Sequence, residues 1–328
     1  MNDLPGPERR PARAATARSS GPGSRSGRTP SCAPVSLVGA LRWAAVTPAA
    51  GPATDPPVAV VGAAGKTGRA VVAALTARGV PVRALVHHPG TWPDERVVEL
   101  ADLDGLTVAL RDVRAVYHLA PNLHPDEEGI GARIIEAATR AGAVRLVYHS
   151  VLHPQLPAMP HHAAKLAVET RVIESGLVWT ILGPAAYLQN LLPAGEEIAV
   201  PYRLDAPFSL VDLDDVAEAA ARVLVEPGHE HAIYELAGPA VTTVAQVAAI
   251  AGVPARQVDR ATWLAEQRGQ LGEYAISALA AMFAHYDRHG LVGNPRILAG
   301  LLGRCPTTVE QAWASGRWTL TPDRRDGP

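Results

Sequence analysis

Two side chains that can exchange or stabilise protons lie four residues apart in the stretch MPHHAAK, residues 159–165. His161 carries an imidazole whose ordinary pKa is about 6.5, and Lys165 carries a cation at neutral pH. Because four residues make about one helical turn, both side chains would lie on one face of a helix. Ser150, in the preceding segment VYHSV, adds a hydroxyl. The sequence therefore offers these three residues as candidates for acid–base or binding chemistry.

A glycine-rich loop provides a second candidate site. The stretch VAVVGAAGKTGRAVVAAL places Gly62, Gly65 and Gly68 between an apolar run and an amphipathic segment. In such loops one glycine permits a tight turn, another lets the backbone approach a pyrophosphate, and a third lets the helix pack on the strand. The helix N-terminus then offers N–H groups and partial positive charge to phosphates. This order predicts a dinucleotide site, with a purely structural turn as the alternative.

The segment after this loop bears on which dinucleotide binds. An NAD site usually has an acidic residue about 20 residues after the first glycine, where it holds the ribose hydroxyls. Here the region reads VRALVHHPG and contains no acid. It offers His87 and His88, with Lys66 and Arg69 in the loop, and basic groups suit a 2′-phosphate. The sequence favours NADP(H) and leaves NAD(H) possible; an exposed turn is the alternative for the histidines.

Alternating strand and helix patterns position both sites. Apolar runs without alternation, separated by helices, indicate a parallel sheet covered on both faces. We predict an α/β fold with a Rossmann-type doubly wound parallel sheet, which binds ligands at the carboxyl ends of its strands. The predicted strands are 58–61, 81–86, 96–103, 114–121, 144–151 and 177–184, and the predicted helices are 66–79, 126–142 and 161–176.

After residue 190 the pattern loosens. Residues 208–228 predict a short strand and a helix capped by Asp212 or Asp214, residues 231–239 a strand, and residues 242–252 a helix with a threonine cap. The remainder reads as mostly helical. We therefore predict a domain over 57–314, with a Rossmann core over about 57–190 and a small, mostly helical C-terminal lobe for substrate or partner over about 191–314.

The two ends of the chain have a different composition. Residues 1–56 are rich in Arg, Pro, Ser and Gly, have few acids and show no apolar period. Such a composition cannot bury enough surface to offset chain entropy. We predict a disordered extension, or a start codon assigned too far upstream, and a disordered tail over 315–328.

The bulk properties exclude several classes. The 328 residues carry a formal charge of −2, which gives no reason to expect a nucleic-acid or membrane partner. The two cysteines, Cys32 and Cys305, suit a reducing compartment, so a cytoplasmic location is expected. Six histidines lie between residues 118 and 162, but no cysteine or acid at ligand spacing accompanies them, so no metal site is predicted.

The sequence resembles the NmrA-like family of atypical short-chain dehydrogenase/reductases. The resemblance rests on the glycine loop, on ADL at 101–103 and LAP at 119–121, and above all on the segment from VYHSV to AYLQN, 147–190. It implies cofactor contacts at the pyrophosphate, the adenine and the nicotinamide ribose, and a serine and a lysine where the wider superfamily keeps them. The resemblance implies Gly62, Ala63, Gly65, Lys66, Thr67 and Gly68 at the pyrophosphate, Asp102 and Leu103 at the adenine, and Ala120 and Pro121 at the ribose. It also implies Ser150 and Lys165 as the serine and lysine of the superfamily. His87 is not part of the resemblance; it is the candidate for the 2′-phosphate because it follows the second predicted strand where an acid is missing.

The resemblance also exposes a departure, because the reductases keep a tyrosine where this chain has His161. Neutral imidazole is a far poorer acid than phenol, and Lys165 disfavours the charged form. Reduction of a simple ketone, which leaves a basic alkoxide, is therefore poorly supported. Acceptors whose anion is delocalised, such as quinones or azo compounds, rely less on a proton donor.

Two functions follow as expectations. One is an NADPH-dependent oxidoreductase of quinone-like or azo-like acceptors, with Lys165, His161 and Ser150 as catalytic candidates. The other is a non-catalytic NADP(H)-sensing regulator that acts through protein partners. An open apolar pocket beside the nicotinamide would favour the enzyme, and a closed pocket the regulator. Tyr187 and Asn190 are expected either to line the acceptor pocket or, for Tyr187, to serve in packing. The oligomeric state stays open.

Overall fold

The chain is described by a computed structural model over residues 55–143, 145–191 and 197–316. Apart from residues 55–56 and 315–316, the predicted extension and tail lie outside these ranges. A parallel sheet has the strand order β3-β2-β1-β4-β5-β6-β8. Its strands are β1 (Val58–Val61), β2 (Val82–Val86), β3 (Glu95–Val97), β4 (Ala115–His118), β5 (Arg145–His149), β6 (Val178–Pro184) and β8 (Ala232–Leu236).

Ten helices are present in the described residues. They are α1 (Lys66–Ala77), α2 (Leu103–Ala109), α3 (Glu127–Ala141), α4 (Pro160–Glu174), α5 (Leu213–Val225), α6 (Val244–Ala251), α7 (Arg260–Glu266), α8 (Glu273–His289), α9 (Arg296–Leu302) and α10 (Val309–Ala314). The predicted doubly wound parallel sheet with a helical C-terminal region is confirmed. No helix in the described part of the chain is both long enough and apolar enough to span a membrane.

The sheet is buried on both faces, which explains its continuous apolar strands. Val58 and Val60 of β1 face one core, while Ala59 and Val61 face the other, and all four are fully buried. Helices α1 and α5 cover the first face, and α2, α3 and α4 cover the second. Since successive strand residues point to opposite faces, a strand covered on both sides shows no polar alternation.

Two segments differ from the sequence prediction. The strand predicted over 96–103 ends at Val97, and the chain turns to begin α2 at Leu103. Asp102 caps that helix by accepting a hydrogen bond from the Gly105 amide, which is why a segment with apolar residues is not extended here. In place of a strand near residue 208, Phe208 and Val211 form only isolated bridges.

The residues after 190 contribute both to the central sheet and to a separate layer. Helix α5, capped by Asp212, packs on α1, and β8 pairs with β6 at the sheet edge. A second, two-stranded parallel sheet joins β7 (Ile198–Val200) to β9 (Ala255–Gln257). Sequence inspection did not predict this sheet, because each strand has only three residues and pairs across more than fifty intervening positions.

Candidate functional site

A cavity of about 860 Å³ runs along the carboxyl edge of the sheet. The strand order reverses between β1 and β4, and this switch point is where open α/β sheets bind ligands. The cavity brings together most of the positions expected from sequence: Gly62, Gly65, Lys66, Thr67, His87, Ala120, Pro121, Ser150, His161, Lys165, Tyr187 and Asn190.

The glycine loop has the geometry of a phosphate cradle. Gly62 has φ of +75°, and a Cβ there would lie 2.9 Å from the Leu119 carbonyl oxygen. A Cβ at Gly68 would lie 2.1 Å from the Gly62 carbonyl oxygen, so the helix approaches the loop too closely for any side chain. Gly65 occupies the N-cap of α1 and provides no side-chain hydrogen bond to the first-turn amides. Ala63 is buried and lies outside the cavity lining, as does Gly68.

The other end of the cavity contains an acid that the motif search did not identify. Glu99, just after β3, lines the cavity beside His87, and its Oε1 lies 2.9 Å from the imidazole Nδ1. Leu100 and Ala101 line the wall that the resemblance assigned to Asp102 and Leu103. These last two belong to the start of α2 and are absent from the lining.

Lys165 is held by a buried carboxylate. Its Nζ donates to Glu127 Oε1 at 2.8 Å, and the Tyr148 hydroxyl donates to the same oxygen at 3.0 Å. The ammonium also lies 5.6 Å from the centre of the Tyr148 ring. Glu127 comes from the first turn of α3 and Lys165 from α4, so packing of these two helices forms the pair.

His161 lies in the first turn of α4 with its Nδ1 buried and without a partner among the described residues. Burial, reinforced by His162 and by the Lys165 cation, lowers the pKa of His161 to about 3. Its neighbour His162 places Nδ1 3.1 Å from the His153 carbonyl oxygen. At neutral pH the imidazole of His161 is uncharged, as the sequence argument expected.

Ser150 and Lys165 share a second acidic neighbour, Glu169, one turn further along α4. Burial raises the pKa of the Glu169 carboxyl, while the Ser150 hydroxyl and the Lys165 cation oppose that rise. Gly183 of β6 lies behind this region. A Cβ there would lie 2.8 Å from the Val151 carbonyl oxygen, so the glycine permits close strand approach and lies outside the cavity lining.

Tyr187 and Asn190 follow β6 and lie against the start of α1. Lys66 Nζ donates to Asn190 Oδ1 at 2.7 Å and lies 5.7 Å from the centre of the Tyr187 ring. The Tyr187 hydroxyl lies 2.8 Å from His149 Nε2. Both residues that the sequence analysis expected near an acceptor therefore border the cavity next to the glycine loop.

Sequence reasoning missed Glu127, Glu99, Glu169 and the aromatic residues Tyr274 and Tyr286, which also line or border the site. Only Glu169 has a sequence signal, its spacing of four from Lys165 on a predicted helix. The described residues contain no group of three side chains arranged to hold a metal ion.

The chain is similar in sequence and fold to members of one family of known proteins. The sequence profile of the NmrA-like family matches residues 54–325. An NAD(P)H azoreductase from Xenophilus azovorans is 30% identical over 273 residues, covering 76% of this chain and 91% of that protein. Quinone oxidoreductase 2 from Escherichia coli strain K12 is 28% identical over 276 residues, covering 78% and 96%. The crystal structure of an NADPH-dependent quinone oxidoreductase from Escherichia coli in complex with NADPH superposes with a TM-score of 0.69 at 26% identity, covering 79% of this chain and 99% of that one.

Proposed function

The chain belongs to the NmrA-like family, and we propose that it is an NADPH-dependent oxidoreductase of quinone-like or azo-like acceptors. One observation carries the proposal: the cavity lined by the glycine loop and Lys165 is also lined by apolar and aromatic side chains. These include Val151, Tyr274, Tyr286 and Leu291. Such a pocket suits a flat aromatic acceptor. The activities for which the azoreductase and quinone oxidoreductase relatives are named support the same choice.

The residues present fit a dinucleotide. Gly62, Gly65, Lys66 and Thr67 would hold the pyrophosphate at the uncapped start of α1, where backbone amides and the helix dipole favour an anion. Ala120 and Pro121 would lie beside the nicotinamide ribose, with Ser150 and Lys165. When bound, the reduced nicotinamide supplies a hydride; the protein's own groups orient it and stabilise the charge that the acceptor gains.

His161 is assigned no proton-donating role. Its uncharged imidazole is a weak acid, and a quinone or azo acceptor spreads the incoming charge over its own conjugated system. Lys165 is assigned the positioning of the ribose, with its cation fixed by Glu127. Lys165 thus serves the cofactor, whereas His161 does not support the reduction of simple ketones.

The test combines binding with turnover. Purified protein is titrated with NADPH, and NADPH oxidation is then followed with panels of quinones, azo dyes and simple ketones. We expect turnover with the conjugated acceptors only, little change in His161→Phe, and a loss of at least about tenfold in Lys165→Ala. Tight NADPH binding without turnover of any acceptor would instead identify a cofactor-sensing regulator. A collapse of quinone turnover in His161→Phe alone would contradict the passive role of that histidine.

The cofactor preference has its own prediction, centred on Glu99. A carboxylate beside His87 repels a 2′-phosphate and can accept a hydrogen bond from a ribose hydroxyl. We therefore expect NADPH to be favoured only modestly over NADH. Replacing Glu99 with glutamine should tighten NADPH several-fold and leave NADH unchanged or weaker, as measured by the dissociation constants. Glu136→Gln, which removes the same charge from an exposed position on α3 outside the cavity lining, is the control. Equal changes for both nucleotides in Glu99→Gln would exclude this role.

A further inference from the structure

Three side chains form a hydrogen-bonded line from the sheet interior to the cavity wall; we refer to Tyr117, His149 and Tyr187 as the tyrosine–histidine chain. Tyr117 is fully buried on β4, and its hydroxyl lies 2.5 Å from His149 Nδ1. His149 Nε2, at the end of β5, lies 2.8 Å from the Tyr187 hydroxyl. His149 and Tyr187 both line the cavity, whereas Tyr117 does not. The chain therefore connects the sheet interior to the site.

The donor and acceptor in each of the two hydrogen bonds of His149 follow from the requirement that each buried N–H or O–H group has an acceptor. The described residues offer the Tyr117 hydroxyl no other partner, so it must donate to Nδ1 or bury an unpaired O–H. Burial, followed by the charge of Lys165 and the proximity of His118, lowers the pKa of His149 to about 3, so its ring carries one proton. With Nδ1 accepting, that proton resides on Nε2 and is donated to the Tyr187 oxygen.

This arrangement leaves the proton of Tyr187 available. A phenol oxygen has one O–H to donate and lone pairs to accept with. The Tyr187 oxygen accepts from His149 and lies beside the Thr67 hydroxyl, which has a donor of its own. Burial raises the pKa of Tyr187, opposed in part by Thr67, so the phenol stays neutral. Its O–H can then be offered to an atom in the cavity.

We propose that Tyr187 is a neutral hydrogen-bond donor to the oxygen or nitrogen of the acceptor, and that Tyr117 and His149 are positioning residues that aim it. The proposal rests on the function proposed above. In this role Tyr187 stabilises the negative charge that develops on the acceptor, as a tyrosine at position 161 would. It does not transfer a proton to the acceptor.

Reduction of a quinone at this site does not require a proton from Tyr187. A quinone receives a hydride from NADPH and becomes a hydroquinone anion, NADPH becomes NADP⁺, and a proton from solvent completes the hydroquinone. The Tyr187 O–H stabilises the oxygen on which the negative charge develops, and it keeps its proton throughout. A donor of this kind contributes more in a dry site than in water.

The first test removes the donor. Tyr187→Phe keeps the ring and deletes the hydroxyl, so we expect kcat for a quinone to fall about 100-fold, with the NADPH dissociation constant unchanged. The infrared carbonyl stretch of a ¹³C-labelled quinone, bound with NADP⁺ so that no turnover occurs, should lie at lower frequency in wild type than in Tyr187→Phe. Equal frequencies and equal kcat in the two proteins would overturn the proposal.

The second test addresses positioning. In Tyr117→Phe, His149 can take the other tautomer and accept from Tyr187, which diverts the O–H away from the cavity. We expect a smaller loss of kcat, an intermediate carbonyl frequency, and no further loss when Tyr117→Phe is added to Tyr187→Phe. Tyr234→Phe, on β8 and outside the cavity lining, removes a hydroxyl that contacts His229 and should match wild type in kcat, carbonyl frequency and NADPH dissociation constant. Additive losses of kcat would show that Tyr117 acts independently of Tyr187, and would remove the positioning role.

The outcomes separate the two proposals. Turnover in wild type with the same kcat and the same carbonyl frequency in Tyr187→Phe overturns the donor role and leaves the proposed function standing. Absence of turnover in wild type with every acceptor overturns the proposed function, and the donor role falls with it.

Discussion

Replacing Lys165 with methionine is expected to lower the free energy of unfolding by about 3 kcal/mol at pH 8. The side chains of Lys165 and Glu127 are only 12% and 5% exposed. Removing the cation leaves the Glu127 carboxylate buried with the Tyr148 hydroxyl as its one remaining hydrogen-bond donor among the described residues. The cost of an unpaired buried charge exceeds the gain from a paired one, so the loss should be large. Urea unfolding measures it directly.

A double-mutant cycle identifies the cause. Adding Glu127→Gln to Lys165→Met removes the stranded charge and keeps an acceptor for Tyr148, so we expect about 2 kcal/mol of stability to return. The matched control is the ion pair Arg171–Glu128 on the same two helices, whose side chains are 49% and 51% exposed. Arg171→Met should cost less than about 1 kcal/mol. If Lys165→Met costs no more than Arg171→Met, the buried pair does not have the role assigned here.

Acidification is expected to destabilise the protein strongly below pH 6.5. His118, His149 and His162 are at most 5% exposed, and burial lowers their pKa values to about 3, 3 and 4. In the unfolded chain each would titrate near about 6.5. Below that pH these histidines bind protons in the unfolded state but stay unprotonated in the folded state. The free energy of unfolding therefore falls as the pH falls. Each histidine contributes about 1.4 kcal/mol per pH unit, or about 2 kcal/mol at pH 5.

The measurement is the free energy of unfolding at pH 7.5, 6 and 5. Both ring nitrogens of His118 are buried without a partner among the described residues, so His118→Leu should be tolerated at pH 7.5. It should also reduce the slope below pH 6 by about 1.4 kcal/mol per pH unit. His88→Leu, at an exposed position, is the control variant measured at the same three pH values. A stability that stays level between pH 7.5 and 5 would show that these histidines are not held neutral.

Local sequence patterns sufficed where the determinant is local. The glycine spacing predicted the turn at Gly62, the close contact at Gly68 and the uncapped start of α1, because each depends on backbone geometry within a few residues. The continuous apolar strands predicted the parallel sheet, since burial on both faces leaves no polar alternation. The prediction over 96–103 was wrong beyond Val97, because the capping action of Asp102 outweighed the apolar content of the segment.

The sequence by itself thus determined a Rossmann-type core, a dinucleotide loop, and a histidine where a tyrosine would be expected. Tertiary structure alone decided which groups act on one another. Glu127 of α3 pairs with Lys165 of α4 because these two helices pack together. Glu99 lines the cavity beside His87 from the segment just after β3. Tyr117, His149 and Tyr187 form their hydrogen bonds from three different parts of the chain. The physical reason is that hydrogen bonds and charge pairs act over a few ångströms in space, whereas their partners lie tens of residues apart in the chain.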